Sequence, residues 1–244
     1  MNPTLAKILQ TSEVSDRHGK KYPLRSATGK NQCLFLQKLI REAEAQTVIE
    51  IGLAYGISSL AIGEVLQEQE NPEHHILDPW QRDWHDIGLL NLERAGFHAA
   101  VKFYREPSCQ VLPRLSAQGL RADFAYLDSS KNFEVLMVDA FFLQKILKPA
   151  GLLVLDDCYF PGIRKLTRLL CRNPVWKVHS TFEPADSSLV KRIFSRICRL
   201  VPYGEKIFLP SLLELDSQLG IHAHCVAFQK CNEDERPWSW FRDF

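Results

Sequence analysis

The sequence predicts an α/β fold: one doubly wound, mostly parallel sheet of seven strands with helices on both faces. Three observations carry that prediction. Apolar runs of strand length alternate with segments of helical period over residues 32 to 182, as expected for a parallel sheet covered by crossover helices. Its first strand runs through a glycine-bearing loop into a helix, EIGLAYGISS at 50 to 59, the unit from which such sheets are built. The chain of 244 residues is 45% hydrophobic, enough for one large core, so 1–244 is read as a single domain.

The elements follow in order. LFLQKLIREAEA (34 to 45) has a helical period and TVIEIG (47 to 52) reads as the first strand. SSLAIGEVLQEQE (58 to 70) reads as a helix opened by serines, and HHILD (74 to 78) as a second strand. WHDIGLLNLERAGF, VKFYRE, SCQVLPRLSAQG and DFAYLD continue as helix, strand, helix and strand. FEVLMVDAFFLQKILK (133 to 148) sets Leu136, Ala140, Leu143 and Leu147 on one helical face, before PAG ends it and GLLVLDD begins the fifth strand. IRKLTRLLCRN is a further helix, WKVHSTF the sixth strand and HAHCVAFQK the last. Residues 183 to 220 form a connection far longer than an ordinary loop. Within it SLVKRIFSRICRL is a basic amphipathic helix, read either as a cap on the core or as a binding device. That insertion and the N-terminal segment 1–31 are expected to supply a lid, a substrate surface or a dimer surface.

Charge and composition exclude several classes of partner. Lys plus Arg number 30 against 29 for Asp plus Glu, so no global charge excess draws the chain to nucleic acid or to an anionic membrane. The N-terminus lacks the uninterrupted apolar core of a leader, and no run of about 18 apolar residues spans a bilayer. Seven cysteines, an odd number without a CxxC pair, suit a reducing compartment. A cytoplasmic protein with a small-molecule partner, without nucleic acid or membrane, is expected.

In EIGLAYGISS, Gly52 permits a tight turn and Gly56 lets a ligand approach the backbone beside a helix N-terminus. The dinucleotide fingerprint asks for glycine where this loop has Gly52, Ala54 and Ile57, which disfavours nicotinamide and flavin dinucleotides. Asp78 ends the second strand, where a carboxylate can accept two hydrogen bonds from a vicinal diol or can simply form a turn.

The pattern ExGxAxG, followed by Asp78 on the next strand and by YREPSCQVLPRL (104 to 115), resembles the class I methyltransferases that use S-adenosylmethionine. YLDSSKNFE (126 to 134) and VLDDCYFPG (154 to 162) narrow the resemblance to the cation-dependent O-methyltransferases of the catechol and caffeoyl-coenzyme A type, and to related bacterial methyltransferases of uncertain substrate. The likeness covers residues 32 to 165. It implies a Rossmann-like methyltransferase fold that binds S-adenosylmethionine through Glu50, Gly52, Ala54, Tyr55, Gly56, Ser58, Asp78, Ser108, Cys109 and Asp128. Ser108 is equally readable as a plain helix N-cap.

The resemblance also implies a metal set of Asp128, Asp156 and Asp157, with Asp157 standing where the group usually carries Asn. Asp128 and Asp156 end neighbouring strands, so their carboxylates should converge with Asp157 at the sheet edge and require a cation. Oxygen ligands suit a magnesium-like ion. The other reading has Asp156 or Asp157 capping the helix near 161, with Arg164 and Lys165 as counter-charges. Lys131 is the expected catalytic base, its pKa depressed by burial and a nearby cation; as a lone residue it is equally a surface lysine opening a helix. Ser130 stands where the group often has an aromatic or acidic residue before the lysine, so an adenine-stacking contact is expected to be missing.

The expected activity is methyl transfer from S-adenosylmethionine to a hydroxyl of a small molecule, assisted by Mg(2+) or a similar divalent cation. Metal-independent O- or N-methylation and a non-catalytic nucleoside-binding protein are the alternatives. His222 and His224 alternate along the last strand as HxH, which can bind zinc but lacks further partners at ligand spacing. Trp80 and Trp84 either border the adenosine or pack under the next helix. Trp238, Trp240 and Phe241 dock on the body or on a second subunit, making a homodimer one expected use of the tail.

Overall fold

The computed structural model describes residues 1–25, 28–183, 216–237 and 239–240. The amphipathic segment 188–200, Trp238 and Phe241 lie outside the described residues. The strands are β1 (Glu13–Ser15), β2 (Lys21–Pro23), β3 (Thr47–Ile51), β4 (Glu73–Leu77), β5 (Val101–Tyr104), β6 (Ala122–Leu127), β7 (Leu147–Leu155), β8 (Trp176–Phe182) and β9 (Cys225–Lys230). The helices are α1 (Pro3–Thr11), α2 (Lys30–Glu42), α3 (Ile57–Leu66), α4 (Ile87–Ala95), α5 (Ser108–Ala117), α6 (Phe133–Ile146) and α7 (Pro161–Arg172).

Seven strands form one sheet in the order β5-β4-β3-β6-β7-β9-β8, and β1 and β2 form a separate antiparallel hairpin. β5, β4, β3, β6 and β7 run parallel, whereas β9 lies antiparallel to both of its neighbours. The predicted doubly wound, mostly parallel seven-stranded sheet is therefore the observed one. Strand order reverses between β3 and β6, which opens a crevice at their C-terminal ends, the place where such sheets bind ligands.

Alternation along β6 builds both faces. Ala125 and Leu127 join Val111 and Leu112 of α5, Leu136 and Leu143 of α6 and Ile163 and Leu166 of α7. Phe124 and Tyr126 face the opposite layer, with Leu36, Leu39 and Ile40 of α2 and Ile62 and Val65 of α3. Strands buried on both sides read as continuous apolar runs, which is why they are legible.

Four boundaries depart from the sequence reading. α3 begins at Ile57 after Gly56 in the left-handed region, without a side-chain cap, because its serines are used elsewhere. β7 starts at Leu147, directly after α6, so Lys148 to Gly151 form an irregularity within a strand rather than a break before one. The last strand begins only at Cys225, so His222 and His224 precede it instead of alternating along it. Ser108 is the first residue of α5, whose N-cap is Pro107, and not the cap itself.

The N-terminal segment also folds onto the body. Leu5 and Ile8 of α1 and Val14 of β1 share a cluster with Leu53, Tyr55 and Ile57, the residues of the glycine loop and its helix.

One buried group works against the core. Asp139 of α6 is fully buried and neither of its oxygens meets a well-aligned donor. Burial pushes its carboxyl up to about 6, with the Ser108 hydroxyl pulling the other way. The folded state then binds more protons than the unfolded chain between pH 4 and 6, so stability falls as pH rises through that window. The loss by pH 7 is about 3 kcal/mol. Asp139→Asn is expected to recover roughly 1 to 3 kcal/mol at pH 7 and to flatten the pH dependence, as read by urea unfolding at the two ends of the window.

Candidate functional site

The site begins where β3 ends. Gly52 has φ +101°, and a Cβ there would lie 1.9 Å from the Asp128 carbonyl oxygen, so the ends of β3 and β6 approach as only glycine allows. Ala54 follows at φ 45°, a left-handed conformation that costs an alanine about 1 kcal/mol relative to glycine. Ala54→Gly is expected to raise stability by up to about 1 kcal/mol without weakening ligand binding, measured by thermal unfolding with and without ligand.

Glu50 does not face this crevice. Fully buried, it accepts hydrogen bonds from Ser58 Oγ (2.5 Å) and Ser59 Oγ (2.6 Å). Its Oε2 also lies 2.9 Å from His74 Nε2. The carboxylate expected to touch cofactor instead ties β3 to the first turn of α3 and to β4, which also explains why the two serines do not cap the helix.

Asp78 lies at the end of β4 beneath the same loop. Its Oδ2 accepts from the backbone N–H of Leu53 and Ala54 (both 3.1 Å) and from Gln81 Nε2 (3.0 Å). Its Oδ1 accepts from Trp80 N–H at 2.8 Å, which leaves lone-pair capacity on Oδ1 for a ligand. The turn-forming and ligand-facing readings of this residue are compatible.

These elements enclose a cavity of about 560 Å³, a size suited to a nucleoside-scale ligand. Gly52, Ala54, Tyr55, Ser58, Asp78, Ser108, Cys109 and Asp128 line it; Glu50 and Gly56 do not. Trp80 and Trp84 are also in its wall, with different roles. Trp80 is 67% exposed at the mouth, whereas Trp84 packs edge-on against Tyr55 at 4.8 Å. Ser130 lines the cavity and accepts from Asn132 N–H. Arg25, Thr28 and Leu53 were not legible as lining residues, since two come from the N-terminal segment and the third is an ordinary apolar loop residue.

The second half of the site lies at the ends of β6 and β7. Leu127 and Leu155 pair in register, so Asp128 and Asp156 emerge side by side. Lys131 Nζ lies 3.1 Å from Asp128 Oδ1 and 2.7 Å from Asp157 Oδ2. A Cβ on Gly162 would come within 2.3 Å of the Lys131 carbonyl oxygen, so the Pro-Gly turn lets α7 press against this segment. α7 has Phe160 as N-cap with no side-chain cap, and Arg164 pairs with Asp216, so neither aspartate caps this helix and Arg164 is not their counter-charge.

The electrostatics correct one expectation. Burial would lower the Lys131 amine, but Asp128 and Asp157 outweigh it, and the pKa is raised rather than depressed. Burial and the Asp156 charge, opposed by Lys131, push Asp128 up to about 7. The cation demanded by the carboxylates is supplied here by the ammonium.

Asp156 is committed differently. Its Oδ2 accepts from Tyr126 Oη (2.5 Å) and Gln32 Nε2 (2.8 Å), and its Oδ1 from Asp157 N–H (2.8 Å) and Cys225 Sγ (3.0 Å). The all-oxygen set of Asp128, Asp156 and Asp157 does not fit a magnesium-like ion in this arrangement, because two members are held by Lys131 and the third by buried donors.

Comparison with known proteins places these features in context. Residues 49–158 match a family model described as a methyltransferase domain. Caffeoyl-CoA O-methyltransferase 2 of Petunia hybrida is 27% identical over 142 residues, covering 55% of either chain. Across such curated relatives the chain spans between 50 and 70% of their length. Among solved structures, the O-methyltransferase TomG from Streptomyces achromogenes, described as involved in tomaymycin synthesis and in complex with SAM, has a TM-score of 0.64 at 15% identity, covering 95% of this chain and 91% of that one. The O-methyltransferase from Bacillus cereus in complex with SAH has a TM-score of 0.59 at 20% identity, covering 73% and 83%. At these identities the structural likeness is one of fold.

Proposed function

We propose that this chain, whose residues 49–158 match a family model described as a methyltransferase domain, moves the methyl group of S-adenosylmethionine to a hydroxyl oxygen of a small molecule. The observation that carries the reading is the cavity at the β3–β6 switch point, walled by Gly52, Ala54 and Asp78 on one side and by Ser108 and Asp128 on the other. Asp78 Oδ1 is suited to the ribose hydroxyls, and exposed Trp80 to a planar base.

Transfer from a sulfonium is an in-line displacement, so the acceptor oxygen must face the methyl and lose its proton as the new bond forms. In this reading the Lys131 ammonium draws the acceptor hydroxyl to the crevice and stabilises its developing negative charge. The proton leaves to the carboxylate pair that Lys131 bridges.

The acceptor is a small molecule, and the N-terminal segment, through Arg25 and Thr28, contributes to the wall that selects it. No helix among the described residues is long and apolar enough to cross a membrane. Cys33, Cys109, Cys158, Cys225 and Cys231 carry free thiols, which supports a reducing, cytoplasmic setting. A homodimer built on the aromatic tail belongs to the same reading; within that tail Trp240 stacks on Arg236, 4.4 Å from ring centre to guanidinium.

Calorimetry separates this reading from that of a dinucleotide-binding enzyme. S-adenosylmethionine is expected to bind with one site per chain and NAD not to bind. Binding of NAD instead, or failure to bind S-adenosylmethionine, contradicts the assignment.

A further inference from the structure

One buried group is not used by the chemistry above. Asp139 of α6 is fully buried, and neither of its carboxyl oxygens has a hydrogen-bond partner among the described residues. It lies in the layer where Leu136, Ala140 and Leu143 of α6 meet Val111 and Leu112 of α5. A buried acid left unpaired in such a layer lowers stability, which makes it a candidate for a task in the site rather than in the core.

Its position says which task. Val135, one helical turn earlier on α6, lines the nucleoside-scale cavity. Helical side chains lean toward the N-terminus, so the Asp139 carboxyl is directed at the back of that cavity wall. Ser108 stands in the wall, nine-tenths buried, at the start of α5. Its hydroxyl is not spent as a helix cap, since Pro107 holds that position. The same hydroxyl is the one polar group that acts on the Asp139 carboxyl, opposing the effect of burial.

We propose that Asp139 is a positioning residue that fixes the hydrogen-bond polarity of Ser108, so that the cavity wall presents an acceptor oxygen to an N–H of the bound base. An ionised carboxylate can only accept, so the Ser108 O–H must turn inward to it. The lone pairs of the same oxygen are then left to face the ligand. An apolar residue at 139 would let the hydroxyl turn either way, and the wall would accept or donate without preference. A donor arriving from the ligand polarises the Ser108 O–H toward Asp139, so the two hydrogen bonds strengthen each other.

The inference deepens the functional reading and rests on it. With the ribose at Asp78 and the methyl end toward Asp128, the base falls between Trp80 and the first turn of α5. The N–H donors of adenine all belong to its 6-amino group, so this is the group that an acceptor at Ser108 reads. Burial raises the Asp139 carboxyl to about 6, and at pH 8 it is ionised and accepts only.

Adenosine and purine riboside, which differ only in the 6-amino group, are titrated into the full chain by calorimetry at pH 8, beside S-adenosylhomocysteine as a check on the cavity. The unchanged chain is expected to bind adenosine about tenfold more tightly than purine riboside. In Ser108→Ala and in Asp139→Leu the ratio should fall to about threefold or less, and combining the two should lower it no further than Ser108→Ala alone, because both break one linkage. Asp139→Asn, the more stable chain, should also lose part of the ratio, since its amide can offer Ser108 an N–H in place of an acceptor. A purely structural Asp139 would change stability and weaken both nucleosides alike, with the ratio kept. A ratio near one in the unchanged chain, or its full ratio retained in Asp139→Leu and Asp139→Asn while S-adenosylhomocysteine still binds, overturns the proposal and leaves the functional reading standing. Failure of the unchanged chain to bind S-adenosylhomocysteine overturns both.

Discussion

Lys131→Met is expected to lower methyl transfer on the order of a hundred- to ten-thousand-fold while S-adenosylmethionine binds as before. The ammonium stands 3.1 Å from Asp128 Oδ1 and 2.7 Å from Asp157 Oδ2, so its removal leaves two carboxylates facing each other with no cation between them. An acceptor oxygen that must become negative is then repelled from the crevice. Lys131 does not line the nucleoside-scale cavity, so cofactor affinity is the proper control. Lys131→Arg keeps the charge but changes its shape and should retain part of the rate. Turnover unchanged in Lys131→Met removes this residue from the mechanism.

Gly52→Ala is the second large effect, and it acts on binding. The new Cβ would sit 1.9 Å from a backbone carbonyl oxygen that belongs to β6, at a φ of +101° where alanine is already strained. Neither partner is the flexible end of a side chain, so the C-terminal ends of β3 and β6 must separate. The expected cost is roughly 3 kcal/mol or more in stability. Cofactor affinity should fall by about a hundredfold or more, because the same loop carries the N–H groups that hold Asp78. Thermal unfolding and calorimetry read the two effects; native affinity in Gly52→Ala would mean that the loop does not bind the ligand.

The sheet was legible because its strands are buried on both faces and need no distant information. Trp176–Phe182 was read to the residue, and the strands from β3 to β6 to within one or two. Helix starts were less legible, for a physical reason visible at Ser58 and Ser59. Both look like caps, but both donate to Glu50 on the preceding strand, a competition that local pattern does not reveal. The N-terminal helix and hairpin were not anticipated, because their few apolar residues acquire meaning only against Leu53 and Tyr55.

In the site, the pairing of Asp128 with Asp156 followed from parallel strands. The sign of the Lys131 shift did not, since it depends on whether one ammonium or one metal ion stands between the carboxylates. The partners of Asp156 were beyond reach for a different reason. Gln32 comes from 124 residues away and Cys225 from 69, and an antiparallel strand inserted beside β7 delivers the latter. HxH at 222 and 224 seemed to lack partners in the sequence; the fold gives His224 two, neither of them the other histidine.

The central claim is methyl transfer, and its most direct measurement is the fate of an isotopically labelled methyl group. The full chain is incubated with labelled S-adenosylmethionine and a panel of hydroxyl-bearing small molecules, and both products are quantified. The account predicts label on an acceptor oxygen, with one S-adenosylhomocysteine formed for each methyl moved, and loss of both products in Lys131→Met. Label found on nitrogen, or S-adenosylmethionine left bound and unconverted across a panel that includes catechols and other phenols, would contradict it.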